Sequence, residues 1–98
     1  MLRGLSVPEL AKLAPDILIV DLDRLDVDPL EMLRRLRFVL PGCIIIVYTA
    51  ILECNWGRDC HLAGANGLLC KSSGEAELVL GLVQAIRNGC WTDPRLVA

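Results

Sequence analysis

Long hydrophobic runs are missing from this sequence of 98 residues. The longest apolar run, Cys43–Tyr48, is much shorter than the ~20 residues that a membrane-spanning helix needs. The N-terminal residues mix charges with proline and show no signal-peptide pattern. These absences predict a cytoplasmic protein that does not engage a membrane.

A large excess of one charge sign is also missing, because the formal net charge is only −2. The densest basic stretch is "RRLR" at 34–37, and its spacing is that of a helix face. Direct recognition of nucleic acid usually rests on a broader basic surface. We therefore expect no direct nucleic-acid binding by this segment.

Paired cysteine motifs are missing as well, although the sequence contains five cysteines. The nearest approach to a metal motif is Cys54, Cys60 and His61, whose spacing fits no zinc site. We expect unlinked thiols in a reduced compartment, used as small hydrophobic residues. The five residues are Cys43, Cys54, Cys60, Cys70 and Cys90.

Apolar residues, in contrast, make up 54% of the sequence. The length suits one small domain with a single core. So high an apolar share in so short a chain indicates that part of the apolar surface faces a partner.

Three apolar runs have the length of strands, and amphipathic stretches separate them. The runs show no polar alternation, as expected of strands that are covered on both faces. Strands are predicted at 17–21, 43–49 and 67–71, and helices at 7–14, 28–40, 52–63 and 74–88. This alternation predicts an open α/β sheet of parallel strands. The tail from residue 90 is predicted to be turn-like.

Several helix ends carry sequence signals. Asp28 before Pro29 is typical of a helix start, and Gly64 and Gly89 are typical of helix ends. The helix at 74–88 has apolar residues on more than one face, which predicts packing on two sides. Trp56 and Trp91 are expected to serve packing or an interface.

Each predicted strand ends on a polar residue: Asp21, Thr49 and Lys71. The carboxyl ends of parallel strands meet at one edge of a sheet, where ligands gather. A carboxylate beside a lysine stays ionised and can attack a phosphoryl group, whose oxygens a hydroxyl and an ammonium can bind. Phosphoryl transfer also calls for a divalent cation, and Mg²⁺ prefers several oxygen ligands.

Three more aspartates follow Asp21, at positions 23, 26 and 28. They could recruit a cation together. The interpretation that we favour is a solvated loop followed by a helix cap.

Taken together, these motifs resemble the receiver domain of response regulators over nearly the whole chain. Asp21 resembles the phosphoacceptor aspartate of the family. Thr49-Ala50 resembles the switch threonine and the small residue that follows it, and Lys71 resembles the family's lysine. "DPLE" at 28–31 resembles the start of the family's third helix. The segments "AGANGLLCKSS" and "AIRNGCWTDPRLVA" are similar to the NarL/LuxR type.

The resemblance begins only at the helix that precedes the family's third strand. It therefore implies an N-terminally truncated receiver domain at 1–91, with 92–98 as the start of a linker. The implied fold is a flavodoxin-like sheet of about three strands, without the family's first strand, first helix and second strand. The family's acidic metal-binding pair would be missing. Three positions also depart from the family pattern: Leu25 replaces a loop proline, Pro29 replaces a glycine, and Leu68 replaces a switch aromatic residue.

The resemblance implies a receiver in two-component signal transduction, not an enzyme with turnover. Asp21 would be the phosphoacceptor, Thr49 and Lys71 would contact the phosphoryl group, and Mg²⁺ would bind weakly at Asp21, with Asp23 as an additional ligand. A sensor histidine kinase or another phosphodonor is the expected partner. The alternative is a phosphorylation-independent association module, because the strand at 17–21 would form an open edge for a second copy or a strand from a partner.

Overall fold

The computed structural model describes residues 7–23, 26–51 and 55–94, along which helices and strands alternate. In chain order, the elements are α1 (Val7–Leu13), β1 (Ile17–Asp21), α2 (Pro29–Val39), β2 (Ile44–Thr49), α3 (Trp56–Ala63), β3 (Gly67–Cys70), α4 (Glu75–Asn88) and β4 (Trp91–Thr92). None of the helices in these ranges is long and apolar enough to cross a membrane.

The strands form one sheet in the order β1-β2-β3-β4, and all neighbours are parallel. This confirms the open parallel α/β fold but corrects the strand number, which is four rather than about three. The additional strand β4 lies in the segment that was predicted to be turn-like, because two residues are too short to show a periodicity. The expected domain boundary between residues 91 and 92 falls inside this strand.

The helix ends follow most of the sequence signals. The Asp28 side chain accepts a hydrogen bond from the Leu30 N–H at 2.9 Å and caps α2. Gly64 and Gly89 end α3 and α4, both with positive φ angles that favour glycine. Helix α3 begins later than expected, and the predicted start at 52–54 lies outside the described residues.

Helices α1, α2 and α3 cover one face of the sheet and enclose the larger core. The side chains of this core include Leu10, Leu18, Val20, Leu33, Leu36, Ile45, Val47, Cys60 and Leu68. Helix α4 covers the opposite face above a smaller cluster built on Ile46, Leu69 and Ala85. Trp91 packs on α4 beside Gly81, where a Cβ atom would lie 2.6 Å from the indole ring. The packing role predicted for Trp91 is therefore confirmed.

Strand β1 lies at the edge of the sheet and, within the described part of the chain, pairs with β2 alone. Ile17 at its start is 43% exposed. Helix α4 also leaves apolar side chains on the surface, namely Val79, Leu80, Val83 and Ile86. The predicted open edge is thus present among these residues, together with an apolar helix face.

The opposite end of the sheet, where the strands begin, is tied together by Arg37 from α2. Its guanidinium donates hydrogen bonds to the carbonyl oxygen of Gly64 at 2.7 and 2.9 Å, of Leu40 at 3.0 Å and of Cys43 at 2.8 Å. It also donates to Asn66 Oδ1 at 2.6 Å. The planar, five-donor guanidinium can satisfy several acceptors at once. Arg37 therefore joins the ends of α2 and α3 to the starts of β2 and β3.

Candidate functional site

The structure brings the three predicted residues to one edge of the sheet. Asp21 is the last residue of β1, Thr49 is the last residue of β2, and Lys71 directly follows β3. The Lys71 ammonium nitrogen lies 2.8 Å from Asp21 Oδ2. Thr49 reaches this pair through an intermediate residue, Asp23. Its hydroxyl donates a hydrogen bond of 2.7 Å to Asp23 Oδ1.

Asp23 has a different environment from the solvated loop that we expected. Its side chain is only 11% exposed, and Lys71 Nζ lies 3.2 Å from its Oδ2 atom. The same Oδ2 atom accepts a hydrogen bond of 2.8 Å from the Ala50 N–H. The solvated interpretation was wrong for Asp23, because its carboxylate turns back over the strand ends. It holds for Asp26, which is exposed.

The Thr49 hydroxyl is buried and makes three hydrogen bonds. Besides donating to Asp23, it accepts from the Ile51 N–H at 3.0 Å and from the Trp56 indole N–H at 3.2 Å. Trp56 also packs against the larger core, as predicted. Its hydrogen bond to Thr49 was not predicted, since nothing in the sequence indicates where an indole N–H points.

Lys71 carries the positive charge of the site. Its hydrogen bond to Asp21 raises the pKa of Lys71 above the ordinary value, and the contacts with Asp23 raise it further. Partial burial lowers the pKa of Lys71, but by less than these contacts raise it. The ammonium also lies 5.9 Å from the centre of the Tyr48 ring. At neutral pH Lys71 is therefore protonated, and its ammonium lies between the side chains of Asp21 and Asp23.

Asp93, whose role was not predicted from the sequence, supports the loop that carries Lys71. Its buried carboxylate accepts hydrogen bonds from the Cys70 N–H at 3.0 Å and from the Ser73 hydroxyl. A buried carboxylate with such donors is a strong local anchor. The residue follows β4, and recognising that strand would have been the signal for it.

The arrangement of the described residues at this edge disfavours tight binding of a magnesium ion. The Lys71 ammonium contacts both Asp21 and Asp23 and so takes the place that a cation would need between them. Both Asp23 oxygens already accept hydrogen bonds. Across residues 7–23, 26–51 and 55–94, no group of three His, Cys, Asp or Glu side chains is arranged to hold a metal.

The cysteines in the described ranges are free thiols, and Cys43, Cys60 and Cys70 are buried. Burial is the main cause that raises the pKa of Cys60 to about 12, so this thiol stays protonated. Both ring nitrogens of His61 are engaged, Nδ1 with the Ala65 carbonyl at 3.0 Å and Nε2 with the Thr92 hydroxyl at 2.7 Å. Cys54, the third residue of the weak metal pattern, lies outside the described residues.

No family model matches the chain. It is 34% identical over 86 residues to the DNA-binding transcriptional activator EvgA of Escherichia coli K12, which covers 88% of this chain. The chain spans 42% of the length of EvgA.

Two solved structures share the fold. A two-component response regulator of the LuxR family from Aurantimonas sp. SI85-9A1 matches with a TM-score of 0.72 and 28% identity, over 94% of this chain and 69% of that one. A response regulator from Burkholderia pseudomallei, described with a phosphorylated aspartic acid, a calcium ion and citrate, matches with a TM-score of 0.62 and 22% identity, over 83% and 54%. With the parallel sheet and its polar strand ends, these similarities show that the chain has the fold of response-regulator receiver domains and that its homologues are response regulators of the LuxR/NarL type.

Proposed function

We propose that this chain is a receiver in two-component signal transduction and that Asp21 is its phosphoacceptor. The observation that carries the proposal is the 2.8 Å contact between Lys71 Nζ and Asp21 Oδ2 at the carboxyl ends of neighbouring strands. The ammonium keeps the carboxylate ionised and pre-aligned, and an ionised carboxylate is a competent nucleophile. The Asp21 side chain is 26% exposed, so a phosphodonor can reach it.

The proposed reaction is a transfer of one phosphoryl group. An Asp21 carboxylate oxygen forms a bond to phosphorus, and the bond between phosphorus and the donor's leaving atom breaks. The electron pair of the broken bond leaves with the donor. When the donor is acetyl phosphate, the leaving group is acetate. When the donor is the phosphohistidine of a kinase, the leaving histidine takes up a proton and becomes neutral. Lys71 then lies where it can pair with the new negative charge.

We further propose that this acceptance is impaired. Mg²⁺ at Asp21, with Asp23 as an additional ligand, stays a prediction, and the shared contact of Lys71 with both carboxylates argues for weak binding only. The Burkholderia neighbour, described with a phosphorylated aspartic acid and a calcium ion, supports such chemistry on this fold. A cytoplasmic location and a sensor kinase as donor belong to the same proposal.

The test is intact-mass analysis after incubation with acetyl phosphate and MgCl₂. We expect slow addition of one phosphoryl group to the wild type and none to Asp21→Asn. Asp26→Asn is the matched control, because Asp26 is an exposed acid of the neighbouring loop. Equal labelling of wild type and Asp21→Asn would count against Asp21 as acceptor.

A second candidate function is association without phosphorylation. It is favoured by the edge strand β1 and by the exposed apolar side chains on α4. An open edge and an apolar patch are both features that soluble monomers avoid. The partner would be a second copy of the chain or another chain that supplies a strand.

Light scattering after size exclusion distinguishes the two surfaces. A dimer that Ile17→Lys disrupts and Val83→Glu leaves intact would place the contact at the edge strand. The reverse result would place it on α4, and a stable wild-type monomer at high concentration would remove this candidate.

A further inference from the structure

Three hydrogen-bond donors at the strand ends converge on one carboxylate. The Thr49 hydroxyl donates to Asp23 Oδ1 at 2.7 Å, the Ala50 N–H donates to Asp23 Oδ2 at 2.8 Å, and Lys71 Nζ lies 3.2 Å from the same Oδ2. A hydroxyl, a backbone N–H and an ammonium are together a binding position for an oxyanion. We call these three groups the anion cradle.

The same cradle is adjacent to the proposed phosphoacceptor. Lys71 contacts Asp21 and Asp23 at once, and the Asp23 N–H donates to Asp21 Oδ1 at 3.1 Å. A phosphoryl group on Asp21 has peripheral oxygens that need this kind of donor. Among the described residues, Asp23 already contacts three such donors: the Thr49 hydroxyl, the Ala50 N–H and the Lys71 ammonium.

We propose that Asp23 is an internal anion that fills the phosphoryl-binding position of the unmodified chain. This inference rests on Asp21 being the acceptor, as proposed above, and it identifies the residue that regulates that site. Asp23 holds Thr49 and Ala50, at the end of β2, in an anion-bound arrangement without phosphorylation. It also suppresses phosphorylation of Asp21, because an incoming phosphoryl group must displace it.

Two features keep Asp23 in place. The spacing of two residues from Asp21 lets the chain turn back after β1, and the backbone N–H of Asp23 fixes this turn on the Asp21 carboxylate. The Thr49 hydroxyl is oriented by two further hydrogen bonds, from Ile51 and Trp56, so that its own proton points to Asp23. The cradle is therefore preorganised around the carboxylate.

Displacing Asp23 has an electrostatic consequence. The described residues of the site comprise two carboxylates and one ammonium, so a phosphoryl dianion adds negative charge to a group of side chains that is already negative. Like charges at such distances oppose each other. Removing the Asp23 carboxylate frees the donors and also removes one of these charges, and both effects favour phosphorylation.

The experiment compares wild type with Asp23→Ala, Asp23→Asn and the exposed-acid control Asp26→Ala. The first measurement is the rate of phosphoryl addition from acetyl phosphate, by intact mass. Because Asp23→Ala frees donors that an incoming phosphoryl group can use, we expect this variant to gain roughly tenfold or more in rate. Asp23→Asn should gain less, since an amide still accepts from Thr49, and Asp26→Ala should match the wild type.

The second measurement is hydrogen exchange at the Ala50 amide, with and without inorganic phosphate. In the wild type we expect protection that does not depend on phosphate. In Asp23→Ala we expect faster exchange that phosphate slows again. Circular dichroism melts verify that each variant is folded.

The outcomes separate this inference from the proposed function. Phosphate-dependent protection in Asp23→Ala without covalent labelling of any variant would support the internal anion and overturn Asp21 as acceptor. Labelling of the wild type at the same rate as folded Asp23→Ala would overturn the internal anion and leave the acceptor in place. An Ala50 amide that exchanges equally fast in wild type and Asp23→Ala would overturn the inference by itself.

Discussion

Each end of the sheet is organised by one cation, and the two cations meet different acceptors. At the strand starts, Arg37 donates to neutral oxygens of the backbone and of Asn66. At the strand ends, Lys71 lies between two carboxylates. Within the described ranges, the acceptors of Arg37 include no anion that could exchange partners, so this cluster is structural. The described side chains around Lys71 have more negative than positive charge and can rearrange when another anion or cation arrives, which suits a site that changes state.

This contrast predicts that the largest loss of stability comes from the structural end. Arg37→Ala would leave several partly buried carbonyls without their donor, and we expect a loss of about 2–4 kcal/mol in the free energy of unfolding. Urea denaturation followed by circular dichroism measures it. Arg34→Ala is the matched control, because Arg34 is exposed and its contact with Glu31 is long, at 3.8 Å. Similar losses in both variants would contradict the assignment of Arg37.

Lys71→Met should have an intermediate effect on stability with a distinctive pH dependence. Because folding raises the pKa of Lys71, its contribution is fully present below the unfolded lysine value, near 10.5, and is lost as the pH rises through the higher folded value. We expect a difference of about 1–2 kcal/mol from wild type at neutral pH that shrinks above that range.

The measurement for Lys71→Met is urea denaturation at a series of pH values from neutral to strongly alkaline. Lys12→Met, at an exposed position of α1, provides the control for loss of a surface lysine. A difference that stays constant with pH would mean that the lysine acts through packing and not through its charge.

Trp56→Phe should have the smallest effect. It keeps an aromatic ring against the core but removes the N–H that donates to Thr49 at 3.2 Å. A single hydrogen bond of this kind contributes about 0.5–1.5 kcal/mol, and the loss should lie at the low end because Thr49 keeps its other partners. Thermal melts by circular dichroism check this. A loss larger than that of Lys71→Met would place Trp56 among the supports of the core instead.

The site residues that could be predicted from the sequence are those at which an apolar run stops at a polar residue. Asp21 and Thr49 end their strands and Lys71 follows directly, so strand length and parallel topology were enough to bring them together. Asp23 was misjudged because a loop acid has no periodicity, and only the turn after β1 shows that it points inward. Arg37 shares its basic stretch with exposed neighbours, and its inward direction depends on the approach of Gly64 from a distant part of the chain.

The short strand β4 was missed for a related reason. Its stability comes from pairing with β3 and from the close approach of Trp91 to Gly81, both of which are tertiary contacts. Asp93 depends on the same strand for its position, so one short element carried two unpredicted features. Local propensity cannot reveal a strand whose partners lie many residues away.

The two tryptophans lie on opposite faces of the sheet, Trp56 in the larger core beside Thr49 and Trp91 beneath α4. Their fluorescence therefore reports on separate halves of the molecule. A protein with only Trp56 would sense rearrangement around the strand ends, and one with only Trp91 would sense loosening of α4. This natural pair of optical probes allows events at the site to be followed independently of events at the apolar helix, without attaching a dye.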